Sequence, residues 1–302
     1  MRIGLAATST DLNEVIAQGR SMEADGFTSL WFGNAILGDP LAGIAVVGRE
    51  TKTLELGTSV LQTYPCHPLL QANRAASVAN AMGRSFTLGI GPSHRALIEG
   101  FYGLSYEHPG RNTEEYARIM AQLLGGEKVD FEGEDWTTHG EVAVPQAHRV
   151  PLLISAMSPR LLRVAGELAD GTITFLAGAK ALESHVVPRI RAAAQAAGRP
   201  EPRIVVGLPV AVHEDIGEVR AALADRAAIL DPLPNYQRIL SLGGYERSTD
   251  VAITGNARSV KAQLRALLDA GASDIWAGII AAGDDPQASR HRTLETLREL
   301  LD

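Results

Sequence analysis

A single cysteine, Cys66, stands in a chain of 302 residues. One thiol cannot form an intramolecular disulfide, so the sequence suits a reducing, cytoplasmic compartment. Long apolar runs are missing as well. Nothing approaches the ~18–20 uninterrupted apolar residues that a spanning helix needs. The opening stretch, MRIGLAATST, carries one charge and no extended apolar core, so it reads as a first strand and not as a signal peptide. Positive charge is in deficit. Lys and Arg total 28 against 35 Asp and Glu, a formal net charge of −7. A chain with that balance lacks the basic face expected of a nucleic-acid or anionic-membrane partner.

Several chemical signatures are absent too. "FTLGIGPSH", residues 86–94, begins like a dinucleotide loop. Gly89 and Gly91 fit, but His94 stands where a third glycine would let helix and strand pack closely, and Pro92 removes a backbone donor. Gly125-Gly126-Glu127-Lys128 has neither P-loop spacing nor a following Ser or Thr. There is no HExxH, no GxSxG and no dense cluster of metal-ligating side chains, so no catalytic metal is expected. Cys66 and His67 lie between Pro65 and Pro68, which suggests a turn leading into a helix, with His67 capping or bracing it.

What is present is an alternation. Apolar residues make up 45% of the chain, enough for a large core. Strand-like runs fall at 2–6, 29–32, 54–60, 86–90, 152–156, 172–176, 204–212 and 274–280. Most are apolar on both faces, as buried parallel strands are. Helical patterns lie between them at 11–24, 68–82, 112–124, 159–169, 179–197, 257–270 and 287–301. Asp25-Gly26, Asp170-Gly171 and Ala270-Gly271 mark helix exits. Eight strands with intervening helices predict one (β/α)₈ TIM barrel over 1–302, with a doubly wound open sheet as the alternative. Two stretches depart from the rhythm. Residues 127–146 predict a hairpin insertion after the fourth strand, and 231–250 a long excursion after the seventh.

In a barrel the chemistry gathers at the C-terminal ends of the strands. Those ends supply Ala6, Trp31, Asn34, Ser59, Val60, Gln62, Thr63, Gly91, Pro92, Ser93, His94, Ala156 and Met157. The set is small and mostly apolar, with hydroxyls, amides and one imidazole but no carboxylate pair. Such a mouth suits a flat, weakly charged ring, with the chemistry carried by a cofactor. Ser158 and Pro159 predict a capped helix start whose N–H groups, with Arg160 nearby, could receive an anion or could simply begin an ordinary helix.

"SLWFGNA", "ELGTSVLQTYPCHPLLQA", "GRSFTLGIGPSHRALIEGFYG" and "LISAMSPRLLRVAGELADGTIT" resemble the luciferase-like monooxygenase superfamily, and within it the subgroup that uses the deazaflavin coenzyme F420. The resemblance runs almost end to end. It implies a barrel with the deazaflavin in its mouth and a non-prolyl cis peptide at Ser59-Val60, within "GTSV". It places Ala6, Trp31, Ser59, Val60, Gln62, Thr63, Gly91, Pro92, Ser93, His94, Ala156 and Met157 around the cofactor, and makes His94 and Asn34 the catalytic candidates. It also allows a homodimer. The sugar-phosphate dehydrogenases of the superfamily differ. They carry Asp-His where this chain has Gly33-Asn34, Glu where it has His94, and a lysine in the stretch that here reads Phe175-Leu176-Ala177-Gly178. The resemblance therefore implies hydride transfer between F420 and a small, neutral substrate with a C=C, C=N or C=O bond. An FMN-dependent monooxygenase and a non-catalytic cofactor-binding protein are the alternatives. His94 either donates a proton or starts a helix and holds the cofactor tail.

Overall fold

A computed structural model describes residues 1–33 and 38–301. Asn34 lies outside the described residues.

The strands are β1 (Ile3–Ala6), β2 (Ser29–Phe32), β3 (Glu55–Thr58), β4 (Leu61–Gln62), β5 (Leu88–Gly91), β6 (Val129–Glu132), β7 (Thr137–Gly140), β8 (Leu152–Ile154), β9 (Gly171–Phe175), β10 (Arg203–Val212), β11 (Ile253–Gly255) and β12 (Asp274–Ile279). Parallel pairing runs β3-β2-β1-β12-β10-β9-β8-β5-β4. β3 and β4 are two halves of one stave, interrupted at Ser59-Val60, where the peptide bond is cis. A bridge between Gly57 and Thr87 joins β3 to β5 and closes the ring. Eight staves therefore form a TIM barrel.

The helices are α1 (Leu12–Ala24), α2 (Pro40–Glu50), α3 (Pro68–Met82), α4 (Arg95–Tyr102), α5 (Pro109–Leu124), α6 (Pro159–Leu168), α7 (Ala179–Ala181), α8 (Val187–Ala196), α9 (Ile216–Ala222), α10 (Ala224–Leu230), α11 (Pro234–Gly243), α12 (Ala257–Asp269) and α13 (Pro286–Arg298). A π-helical turn over Leu182–Val186 links α7 to α8. Local chemistry sets many of their starts. Asp11, Ser158, Asn256 and Asp285 each accept a hydrogen bond from a first-turn amide. His67 does the same for α3 and also reaches the Thr137 carbonyl at 3.0 Å, so it braces the turn as expected. Both insertions are present. β6 and β7 form the hairpin, and the 231–250 excursion holds α11. Five helices, α2, α4, α9, α10 and α11, were not signalled by the sequence pattern, and neither was β11, which pairs beside β10.

Two cores result. The larger one lies between the staves and the helices. The smaller one fills the barrel with Trp31, Leu153, Ile173, Val205 and Trp276. The two indoles need room, and glycines opposite them provide it. A Cβ on Gly57 would lie 2.4 Å from the Trp31 ring, and one on Gly207 would lie 2.0 Å from the Trp276 ring. Beneath the indoles, at the N-terminal end of the staves, charge closes the barrel. Arg203 binds Glu55 at 2.5 Å and Asp274 at 2.7 Å, and Arg2 binds the same two carboxylates. Thr87 adds a hydroxyl to Glu55 at 2.7 Å.

Candidate active site

The opposite end of the barrel is not closed. Ala6, Ser59, Val60, Ser93, His94, Met157 and Phe175 are half-buried there, at the ends of β1, β3, β4, β5, β8 and β9. This is the mouth that the sequence pattern predicted. Gly91 and Pro92 are buried in its wall.

Three expected contacts lie behind that surface. Trp31, Thr63 and Ala156 are 0% exposed. Trp31 points into the barrel, donates its indole N–H to the Ser29 hydroxyl at 2.9 Å and lies over the Arg203 guanidinium. Strand alternation turns its side chain to the interior well below the rim. Thr63 donates to the Asn112 side chain at 3.0 Å, tying β4 to α5. Gln62 is also buried and accepts from the Tyr102 hydroxyl at 3.1 Å, so it anchors α4. Their side chains are buried against protein groups and support the wall from behind.

The backbone at the mouth is unusual in two places. Ser93 and Leu176 take φ values of 65° and 63°, in the left-handed region that non-glycine residues avoid. Each directly follows a strand end, one after β5 and one after β9. Such conformations persist where neighbours enforce them, and they collect at ligand sites. At Ser93 the enforcement is visible. The Tyr106 hydroxyl donates to the Ser93 carbonyl at 2.7 Å.

His94 comes next. It occupies the N-cap position of α4 but its side chain makes no cap hydrogen bond. Its ring instead rests against Tyr236, with centroids 5.2 Å apart. Desolvation lowers its pKa, so the imidazole is neutral at pH 7. Because His94 does not cap α4, the Arg95 and Ala96 amides at the start of that helix point outward without a side-chain acceptor. The start of α6 is different. Ser158 caps it by accepting from Leu161, and Arg160 is drawn to Glu114 at 2.9 Å. The expected anion site there is therefore already satisfied by protein groups.

Residues between β10 and β11 complete the rim. Tyr236, at the start of α11, touches His94 and also meets Phe175 edge-on at 6.0 Å. Burial pushes the Tyr236 phenol up to about 12, so it remains a donor. Phe175 stacks on Trp276 with centroids 5.4 Å apart. Arg226, on α10, lies over the other side of Phe175 at 4.8 Å. Neither Tyr236 nor Arg226 carried a local sequence signal, and the prolines before Tyr236 mark only a loop. His185, in the π-helical turn, is a further unpredicted contributor. Its ring bonds the Met157 carbonyl at 2.9 Å and so fixes the end of β8.

A cavity of about 620 Å³ opens beside the mouth, against the ends of β1 and β2 and the starts of α1 and α2. Among the described residues none of its lining comes from β5, β8 or β9. Among the described residues no helix is long and apolar enough to cross a membrane.

Comparison with known proteins agrees with this architecture. A 5,10-methylenetetrahydromethanopterin reductase of Methanolobus tindarius is 30% identical over 178 residues, covering 59% of this chain and 54% of that protein. An F420-dependent glucose-6-phosphate dehydrogenase of Mycolicibacterium gilvum is 35% identical over 169 residues, covering 53% of this chain and 49% of that one. The chain thus spans about half the length of these curated relatives. Among solved structures, an F420-dependent secondary alcohol dehydrogenase in complex with an F420-acetone adduct superimposes with a TM-score of 0.81 at 18% identity, covering 100% and 99% of the two chains. The FMN-bound oxygenating constituent of 3,6-diketocamphane monooxygenase from Pseudomonas putida superimposes with a TM-score of 0.71 at 18% identity, covering 100% and 98%. Likeness at that identity establishes the shared barrel. The family profile of the luciferase-like monooxygenases matches residues 2–302, and the chain belongs to that family.

Proposed function

We propose that the protein is a deazaflavin-dependent oxidoreductase, moving a hydride between coenzyme F420 and a small organic substrate with a C=C, C=N or C=O bond. The observation that carries this reading is the make-up of the mouth. It offers small and apolar side chains at the strand ends, two strained strand ends, an uncapped helix start and an imidazole with no hydrogen bond to any described residue. None of these side chains carries a hydride, so the protein's part is to bind, orient and move a proton. The names of the glucose-6-phosphate dehydrogenase relative and of the secondary alcohol dehydrogenase neighbour favour F420. FMN is the alternative, since a structural neighbour binds it.

The residues present fit a flat heterocycle with an anionic tail. Ala6, Ser59, Val60 and Met157 would hold the ring. Ser93 and the free amides of Arg95 and Ala96 would receive a phosphate group at the start of α4. When bound, a deazaflavin supplies hydride from the carbon that replaces the reactive nitrogen of a flavin. His94 then handles the accompanying proton. In its neutral form the imidazole takes a proton from an alcohol or amine being oxidised, and returns one to the atom beside the hydride acceptor in the reverse direction. Tyr236 packs against the imidazole and limits water access.

A fluorescence titration tests the cofactor assignment. Oxidised F420 should bind at micromolar concentration or better, with FMN and FAD weaker by about tenfold or more, a difference of ~1.4 kcal/mol. FMN binding equal to or tighter than F420 would replace this reading with the monooxygenase.

A further inference from the structure

Arg226 is a cation at the mouth without an anion. It makes no hydrogen bond and no ion pair with any described residue, and no carboxylate acts on its pKa. Its neighbours on the same side of the barrel are tied down. Arg160 is paired with Glu114 and Arg220 with Asp250, while Arg95 is bonded to Glu99. Arg226 instead lies over Phe175 at 4.8 Å, and that ring stands at the end of β9. The residue as a whole is exposed, but its guanidinium end is crowded enough that desolvation lowers its pKa. Tyr236 is the partner that acts on it electrostatically, and it too makes no hydrogen bond with any described residue. Around Phe175 there are thus a guanidinium and a phenol, both with unused donors, and across Tyr236 stands the His94 imidazole.

We propose that Arg226 and Tyr236 hold a carboxylate on the substrate, an unsaturated organic acid, and so direct its reacting bond toward His94. A guanidinium over an aromatic ring can keep its N–H edge free, and that edge matches a carboxylate in two parallel hydrogen bonds. The proposal rests on the oxidoreductase reading for its site, and it replaces the neutral substrate expected from the sequence with an organic acid. The strand-end positions that hold a dianion in sugar-phosphate dehydrogenases are still replaced here. The cation comes from α10 instead, and one guanidinium matches a single carboxylate.

The probes are benzoate, cinnamate and 1-cyclohexenecarboxylate, each compared with its amide, using ligand-observed NMR on the intact protein with and without F420. At least one acid should bind about tenfold more tightly than its amide. Arg226→Gln should abolish that preference, Arg226→Lys should keep part of it, and Tyr236→Phe should weaken it severalfold. F420 affinity, measured separately by fluorescence, should stay within about twofold in Arg226→Gln. Equal binding of every acid and its amide overturns the proposal, as does an acid preference that survives Arg226→Gln. A loss of F420 affinity in Arg226→Gln with acid binding unchanged assigns the anion to the cofactor and also overturns it. If the acids bind through Arg226 but F420 does not bind at all, this site stands and the deazaflavin reading fails.

Discussion

Removing one hydroxyl from Tyr106 should loosen the cofactor site without disturbing the fold. Tyr106 is buried, and its ring is held on one side by Tyr64, centroids 5.1 Å apart, and on the other by the Arg95 guanidinium at 5.7 Å. Phenylalanine keeps both contacts. What is lost is the 2.7 Å hydrogen bond to the Ser93 carbonyl. A neutral hydrogen bond contributes about 0.5–1.5 kcal/mol net, and water can partly replace this one because Ser93 is half-exposed. The bond also restrains a residue whose φ of 65° costs roughly 1–2 kcal/mol for a non-glycine side chain. Without the restraint Ser93 relaxes, and binding must re-form its conformation. Tyr106→Phe should therefore lower stability by about 1 kcal/mol and weaken F420 binding by about fivefold, the same free energy read twice. Urea unfolding and fluorescence titration measure the two. Glycine adopts φ near +65° at no steric cost. Adding Ser93→Gly to Tyr106→Phe should thus recover most of the lost stability. Unchanged affinity and stability in Tyr106→Phe, or no recovery in the double variant, would refute the idea that Tyr106 holds Ser93 in place.

Three further outcomes are expected. His94→Ala should slow hydride transfer by about 10²–10⁴-fold at saturating cofactor, with F420 affinity little changed, in stopped-flow measurements; a normal rate with weaker cofactor binding would make His94 a tail ligand. Glu23 accepts from the backbone amides of Lys52, Thr53 and Leu54, and these bonds outweigh desolvation to bring its pKa from 4.5 to about 2. A depressed carboxylate contributes stability that is present above pH 4.5 and lost as pH falls toward 2, so Glu23→Gln should flatten the acid limb of stability against pH, and an unaltered limb would exclude Glu23 as its source. Arg203→Met should cost about 3 kcal/mol in urea unfolding, near the low end for breaking a buried pair because Arg2 still serves Asp274; a cost below about 1 kcal/mol would show that the charged base adds little.

The barrel was legible because its staves are buried on both faces and therefore read as apolar runs. The helices that escaped notice explain the limits of that signal. α2 packs Gly43 against Phe32 and Gly48 against Met82, where a Cβ would come within 2.8 Å and 2.5 Å. Glycines inside a helix read as interruptions, yet here they are what lets the helix lie close to its neighbours. α4 spans eight residues and has no side-chain cap, so neither length nor a cap marks it. At the site, His94, Ser93 and Met157 were legible because strand ends can be counted. Trp31, Thr63 and Ala156 lie one layer behind the mouth surface, since a strand-end position does not say how deep the side chain goes. Tyr236 and Arg226 were not legible at all. They reach Phe175 from more than fifty residues further along the chain, through the segment between β10 and β11, and only the folded arrangement brings them there.

Charge at the base of the barrel divides the molecule into a part that is best inherited as a set and a part that is free to vary. Arg2, Glu55, Arg203 and Asp274 bind the beginnings of four staves, and Asp274 is 1% exposed. Each carboxylate is shared by both guanidiniums, so a change at one of them weakens the pairing of the others, and replacement is easiest when the four change together. The rim has no such mutual debt. Phe175, Tyr236 and Arg226 touch through ring faces, and none of the three is hydrogen-bonded to another. Each can be exchanged singly while the staves stay aligned beneath. A duplicated copy of this chain can therefore acquire a new substrate by drift at the rim long before its barrel is at risk.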